Sequence, residues 1–336
     1  MVAVATMLMT NSAHALKFII LVAREKRLRR LLDITRCEMF NRDNLKYEKI
    51  IDSYAWKGIF HHVAYQSFGT VAVLCWGFAP VANLVSGRSR RLPMEGWYPL
   101  NVTASPAYEV ISMHQGLSVF IACFHNVAID TFVTGLLTVA CCQLKLLQWN
   151  LTLVHDDEEQ EPPSSNVNKL LVAPRVRRQI IYNKFKKCLE HSNIIYKFTR
   201  NIQSTFGTVI FIQLFVNCII ICLIAFHISQ MKIYIPSVLI GMLTYMCCMT
   251  YQIFIYCWHG NELHLHAMDL ALANYSCNWF ESTNEFKRAL QIMMIRTQRP
   301  LRLSAGNIMV LNLNTFMGII RTSYSIFTVL QSSTNN

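Results

Sequence analysis

The chain has 336 residues, 53% of them hydrophobic and only 15% charged, with a net charge of +12 at pH 7 and a positive mean hydropathy. An ordinary soluble domain, with an apolar share of about 45–50%, is excluded. The class this composition fits is an all-α, polytopic membrane protein.

The opening stretch VAVATMLMTNSAHALKFIILVA is apolar but diluted by Asn11, Ser12, His14 and Lys17, and it lacks the basic start and small-residue cleavage site of a signal peptide. It is expected to span. Basic residues gather next, over 24–57, followed by nearly charge-free runs at 58–85, 206–229 and 233–257, each reaching the ~20 residues a crossing needs. The stretch 108–154 is too long for one crossing: at about 1.5 Å per residue it would extend about 70 Å, so it protrudes from the membrane. The acidic DDEEQE at 156–161 and Pro162 and Pro163 mark a solvated loop after it. Over 167–200 and again over 260–298 apolar residues recur at helical spacing among bases, a pattern for amphipathic helices beneath the membrane.

The last segment, 307–331, carries hydroxyls where lipid asks for Leu. On a helix, Thr315, Gly318, Thr322, Ser325 and Ser332 form one stripe and Arg321, Tyr324, Thr328 and Gln331 a second beside it, opposite Phe316, Ile319, Ile320, Ile326, Phe327 and Leu330. A polar face in lipid must look onto protein or water. Two readings stay open: close helix packing through hydroxyls, or one wall of a pore built from several subunits. NLNT at 312–315 reads as a helix break with Asn314 or Thr315 as N-cap, leaving about 16 residues or about 24 Å.

The Lys and Arg clusters at 24–57, 169–200 and 287–302 fall in alternate loops, so all three face the cytoplasm and both termini lie outside; Arg88, Arg90 and Arg91 disagree but are outnumbered. The sequon at Asn101 is then available for glycosylation, whereas those at Asn150 and Asn274 are on the wrong side. Nucleic-acid binding is a poor reading because spans separate the basic clusters. The 12 cysteines contain no CxxC pair and sit mainly within spans as small apolar fillers. His259, His264 and His266 are close in sequence, but the other histidines are scattered, and a metal site is not expected. The sequence holds no Gly-rich phosphate loop, HExxH or GxSxG, so neither enzymatic chemistry nor a cofactor is expected.

RTQRPLRLSAGNIMVLNLNTFMGIIRTSYSIFTVL resembles the C-terminal signature of insect odorant receptors. It has a basic-Gln-Pro step, the small-residue turn Ser304, Ala305, Gly306, then Leu311, Leu313 and Phe316, and a close in Ser323, Tyr324, Ser325, Phe327, Thr328 and Leu330. The outer loop LPMEGWYPLNVTASPAYEVI is similar to the family's segment between its third and fourth spans. The resemblance implies a ligand-gated, non-selective cation channel in the plasma membrane of a sensory neuron dendrite. It also implies a heterotetramer with an odorant co-receptor subunit, an inverted seven-helix topology, a small volatile lipophilic ligand and surrounding membrane lipid. The family has seven spans with the N-terminus inside; here the first is expected to be absent, so that the opening span corresponds to the family's second. Gustatory receptors fit less well, since Thr322 and Tyr324 are separated by Ser323 and Gln331 is followed by Ser332.

On that resemblance the last helix lines the pore with Thr322, Ser325, Thr328, Val329 and Gln331, and the ligand pocket lies in the outer half of the bundle. There the sequence supplies Met7, Met9, Ala72, Cys75, Trp76, Met113, Phe120, Leu239 and Met242. The expected organisation is a transmembrane bundle over 1–258, including cytoplasmic helices near 24–57 and 150–200, then cytoplasmic anchor helices over 259–305, then a pore-lining helix and extracellular tail over 306–336. Asp130, the one acid well inside a span, is expected to meet Lys145 or water. The rival functions are a secondary transporter or another polytopic receptor of gustatory type; no internal repeat supports the transporter.

Overall fold

The computed structural model describes residues 2–40, 45–78, 92, 94, 96–99, 104–154, 174–231, 236–277, 279–280, 282–299 and 301–335. Among them lie α1 (Val2–Ala23), α2 (Glu25–Thr35), α3 (Leu45–Gly77), α4 (Ala107–Thr152), α5 (Pro174–Ser229), α6 (Pro236–Ser276), α7 (Asn284–Thr297) and α8 (Leu313–Asn335). A pair of two-residue strands, β1 (Ser304–Ala305) and β2 (Met309–Val310), precedes α8. Among the described residues four helices, α1, α4, α5 and α6, are long and apolar enough to cross a membrane. Helix α3, diluted by His61, His62, Gln66 and Ser67, packs along both α4 and α6.

Helix α4 runs 46 residues, or about 69 Å, and so protrudes as its length requires. Helices α5 and α6, of 56 and 41 residues, also outrun a bilayer. In α5 the amphipathic run from 174 and the apolar run at 206–229 are one helix, with nothing between them to break it. The run over 260–298 is interrupted instead: α6 ends at Ser276, and Thr283 caps α7 by accepting from the Phe286 backbone N–H at 3.3 Å. The domain boundary expected at 258/259 falls inside α6, which passes through it without a break.

Burial changes along the helices. In the half of α4 nearest the basic clusters, Leu137, Ala140, Leu144, Leu147 and Leu151 are fully buried at helical spacing. In the other half, Val110, Met113, Leu117 and Ile121 stand exposed. Apolar side chains exposed to water mark an interaction surface; exposed to lipid they cost nothing. The chain is thus lipid-solvated at one end and packed like a soluble protein at the other.

The strand pair closes through Gly306 (φ 61°) and Asn307 (φ 59°), with the Ile308 N–H donating to the Ala305 carbonyl at 3.1 Å. Two successive left-handed residues make the tight hairpin turn that matches strand twist, and Gly and Asn are the residues that tolerate it. The hairpin is fastened to α5. Gln203 Nε2 donates to the Ser304 carbonyl at 2.5 Å, Ser304 N–H returns to Gln203 Oε1 at 2.8 Å, and Gly306 N–H donates to the Gly207 carbonyl at 2.8 Å. On the other side Leu311 lies on Gly260 of α6 so closely that a β-carbon there would come within 2.6 Å of the Leu311 Cβ and carbonyl oxygen. The start of α8 is therefore held between α5 and α6.

Candidate functional site

A cavity of about 70 Å³ lies among α1, α3, α4 and α6. From α1 come Met7, Thr10, Asn11 and His14, spaced three, one and three residues apart, which is one helical face. Helix α3 contributes Tyr65, Gly69, Ala72, Val73 and Trp76, again one face; α4 gives Val119, Ala122, Cys123, Asn126 and Val127; α6 gives Tyr245, Cys248 and Met249. Gly69 lets α4 approach, since a β-carbon there would meet Cys123 Sγ at 2.8 Å. Within the wall the hydroxyls of Thr10 and Tyr245 are 2.5 Å apart, and His14 Nε2 lies 2.8 Å from Nδ1 of His125 behind it. The lining residues include no carboxylate, lysine or arginine.

Of the residues expected in a pocket, Met7, Ala72 and Trp76 line this cavity. Cys75 sits on the neighbouring face, where a β-carbon at Gly241 would reach its Cβ at 3.2 Å. Met113 and Phe120 line a separate, open groove of about 510 Å³ between α3 and α4, which shares Val73 with the cavity. Leu239, Met242 and Met9 are partly buried and outside the cavity lining. The polar lining residues Thr10, His14, Tyr65, Asn126 and Tyr245 were not anticipated. Thr10, His14 and Lys17 share one face of α1, a periodic signal that reads in sequence only as dilution of an apolar span.

Beneath the cavity lies an ion pair in full burial. Lys17 Nζ donates to Asp130 Oδ1 at 2.6 Å and to Asn126 Oδ1 at 2.9 Å, and both charged side chains are at most 2% exposed. Asp130 therefore meets Lys17, where Lys145 or water was expected; Lys145 stands exposed. Tyr65 and Tyr256 hydroxyls donate to Asp130 at 3.2 and 2.7 Å, and the Gln252 side-chain amide donates to its second oxygen. Four donors satisfy this buried carboxylate, the condition under which a buried charge is tolerated.

Helix α8 is capped by Asn312, whose Oδ1 accepts from the Thr315 N–H at 2.7 Å, not by Asn314 or Thr315. The helix has 23 residues, about 34 Å, enough to cross a bilayer, so the shortness expected of it is absent. Ser323 faces inward, donating to the Cys218 carbonyl at 3.2 Å. Thr322, Ser325 and Val329 are exposed and Thr328 and Gln331 half-buried, on a face that no other described part of the chain covers. The hydroxyls on this face bond back to their own helix: Thr322 to Gly318 O at 2.9 Å, Ser325 to Arg321 O at 3.0 Å and Thr328 to Ser325 O at 2.8 Å. Asn101 lies outside the described residues. Asn150 accepts from the Tyr47 hydroxyl at 2.5 Å, and Asn274 is fully buried against Thr297.

A bundle of membrane-length helices continued by a packed helical layer, with a cavity among four helices and an uncovered polar face on the last, defines a polytopic helical membrane protein. The chain belongs to the 7tm odorant receptor family, whose model matches residues 1–324. It is 24% identical to Odorant receptor 10 of Aedes albopictus over 290 residues, 86% of this chain and 72% of the relative. It is 24% identical to Odorant receptor 2a of Drosophila melanogaster (72% of this chain, 59% of the relative) and 25% identical to Odorant receptor Or1 of Anopheles gambiae (82% and 67%). The olfactory receptor OR5 of Machilis hrabei, solved in complex with eugenol, shares the fold with a TM-score of 0.81 at 18% identity, covering 98% of this chain and 80% of the other. The family assignment favours the receptor reading over a transporter.

Proposed function

We propose that the chain is a ligand-binding subunit of a non-selective cation channel. It takes a small lipophilic volatile into the α1/α3/α4/α6 cavity and assembles with an odorant co-receptor subunit as a heterotetramer in the plasma membrane. The observation that carries the reading is the cavity itself, apolar and uncharged, with hydroxyl and amide groups on Thr10, Tyr65, Asn126 and Tyr245 to orient one polar atom of a guest. A related receptor holds eugenol, which supports the same class of ligand here.

The cavity's 70 Å³ falls well short of the about 300 Å³ at which ligand pockets usually begin. A ligand must therefore push helices or side chains apart to enter. This expansion supplies the differential affinity for two states without which binding cannot shift a gating equilibrium. In this reading Thr322, Ser325, Thr328, Val329 and Gln331 of α8 border the conduction path in the assembled channel. The exposed apolar residues Leu272, Ile292 and Ile295 on α6 and α7 offer a surface for subunit assembly.

The test is current recording from cells expressing this chain with and without a co-receptor, challenged with volatile alcohols, aldehydes, esters and phenols. The reading expects ligand-evoked cation currents only in the co-expressed case, with Trp76→Ala altering the concentration dependence. Silence toward every compound from receptor present at the surface would contradict it.

A further inference from the structure

The cavity floor and the ion pair are one hydrogen-bonded structure. Tyr65 and Asn126 both line the cavity, and both bond to the pair: Asn126 Oδ1 accepts from Lys17 at 2.9 Å and Tyr65 donates to Asp130 at 3.2 Å. Asp130 accepts from Gln252 of α6, whose Oε1 accepts in turn from Gln213 Nε2 at 3.0 Å and Asn217 Nδ2 at 2.8 Å on α5. Gln213 also donates to Asn217 Oδ1 at 2.6 Å. Residue 218, next along, is the one whose carbonyl accepts from Ser323 of α8. Apart from the half-buried Asn126 and Cys218, the side chains of this chain of contacts are at most 5% exposed.

We propose that the Lys17–Asp130 pair is a positioning element for gating, tying the floor of the cavity to α5 and through α5 to α8. This rests on the functional reading above. The argument is one of geometry and polarity. Polar groups placed together in a low-dielectric core have few arrangements that leave none unpaired, so such a network moves between discrete arrangements and resists small distortions. A guest that spreads α1, α3 and α4 displaces Asn126 and Tyr65, the two neutral residues through which the cavity touches the pair. Lys17 and Asp130 cannot separate in this surrounding without leaving a charge unpaired, so they move together and carry Gln252 with them. Packing alone would let α6 slide past Asp130; the amide bond from Gln252 does not. A physically contiguous network of this kind, joining two sites that each favour one of its arrangements, is what coupling between sites requires.

The experiment uses Gln252→Met, which cuts the connection between Asp130 and α5 while leaving Asp130 with Lys17, Tyr65 and Tyr256, and leaving Gln213 bonded to Asn217. The full chain is expressed with a co-receptor, the probe is a fixed mixture of eugenol, octanol, octanal and octyl acetate, and currents are normalised to surface-labelled receptor. The proposal expects the mixture concentration for half-maximal current to rise roughly two- to thirty-fold, the range of coupling changes for residues that touch neither site. A purely structural role would lower the surface level alone and leave that concentration unmoved. Should Gln252→Met fail to reach the surface, the double substitution Gln213→Leu with Asn217→Leu removes both α5 donors to Gln252 and carries the same expectation. A wild-type response with an unshifted variant overturns the inference and leaves the functional reading standing. A silent wild type at the surface overturns the functional reading, and the inference with it.

Discussion

Lys17 and Asp130 show what single residues decide in this chain. Each is buried in the helix bundle, and the two are paired with each other, with Asn126 accepting from Lys17 and the Tyr65 and Tyr256 hydroxyls donating to Asp130. Removing one partner leaves the other buried and unpaired, a loss of about 3–5 kcal/mol. Lys17→Met is therefore expected to abolish most surface expression, while Lys145→Met, at an exposed position, leaves it near the wild-type level; surface biotinylation compares the two. Gly260 makes a second residue-scale prediction. A β-carbon there would collide with Leu311 at 2.6 Å, backbone included, so Gly260→Ala forces α8 away from α6 at a cost of about 1–3 kcal/mol. Gly58→Ala, with nothing within 4 Å, is the neutral control, and thermal unfolding of the detergent-solubilised protein reads the difference. Asp130 stood out in the sequence as an acid inside a span. Its partner did not, because Lys17 lies 113 residues away and helical periodicity fixes faces within a helix but not which face meets which.

At the scale of elements, α8 is the helix whose chemistry departs furthest from a lipid-facing span. Its inward face is read only in part from spacing: Ile319 is buried and Phe316 and Ile320 pack on the core, whereas Ile326, expected on the same side, is 41% exposed. Its hydroxyl face is uncovered, and each of Thr322, Ser325 and Thr328 satisfies its own proton on a backbone carbonyl one turn back, leaving lone pairs outward. Such oxygens can contact passing cations without a fixed charge. Thr322→Val and Thr328→Val, which remove these oxygens at nearly constant shape, are expected to change single-channel conductance or ion preference and to leave the ligand concentration dependence intact; patch recording in mixed Na⁺ and K⁺ solutions checks this. The strand pair before α8 was legible only as a turn. Two-residue strands are too short for alternation to register, and what defines them is fastening to Gln203 and Gly207, a tertiary fact. The N-cap escaped for a related reason: NLNT contains two Asn and one Thr, all good caps, and only the fold selects Asn312.

At the scale of the whole molecule, the division between a lipid-solvated end and a protein-packed end was legible from composition and length. The overlong stretch 108–154 is the single helix α4 that its length required. The fusion of 206–229 and 233–257 with their cytoplasmic neighbours into the 56- and 41-residue helices α5 and α6 was not legible, because no residue pattern marks a helix that simply continues. The cavity was legible only in part, because Met7, Ala72 and Trp76 follow from the region but its polar lining depends on how four helices turn toward one another. The orientation makes its own prediction. Asn274 is buried at the basic end of the molecule, so a glycosidase should produce no mobility shift attributable to it, and Asn274→Gln should leave the glycan pattern unchanged on gel electrophoresis.

The measurement that bears most directly on the account is thiol accessibility along α8 in the assembled channel. Thr322→Cys, Ser325→Cys and Thr328→Cys are exposed one at a time to a charged methanethiosulfonate reagent during ligand-evoked current, with Ser323→Cys and the wild type as references. The account predicts that modification at the three uncovered positions blocks or alters the current and that position 323 and the wild type are indifferent. Unaltered current at all three, from receptors that reach the surface and respond to ligand, would show that this face is sealed against protein or lipid and would contradict the assignment of α8 to the conduction path.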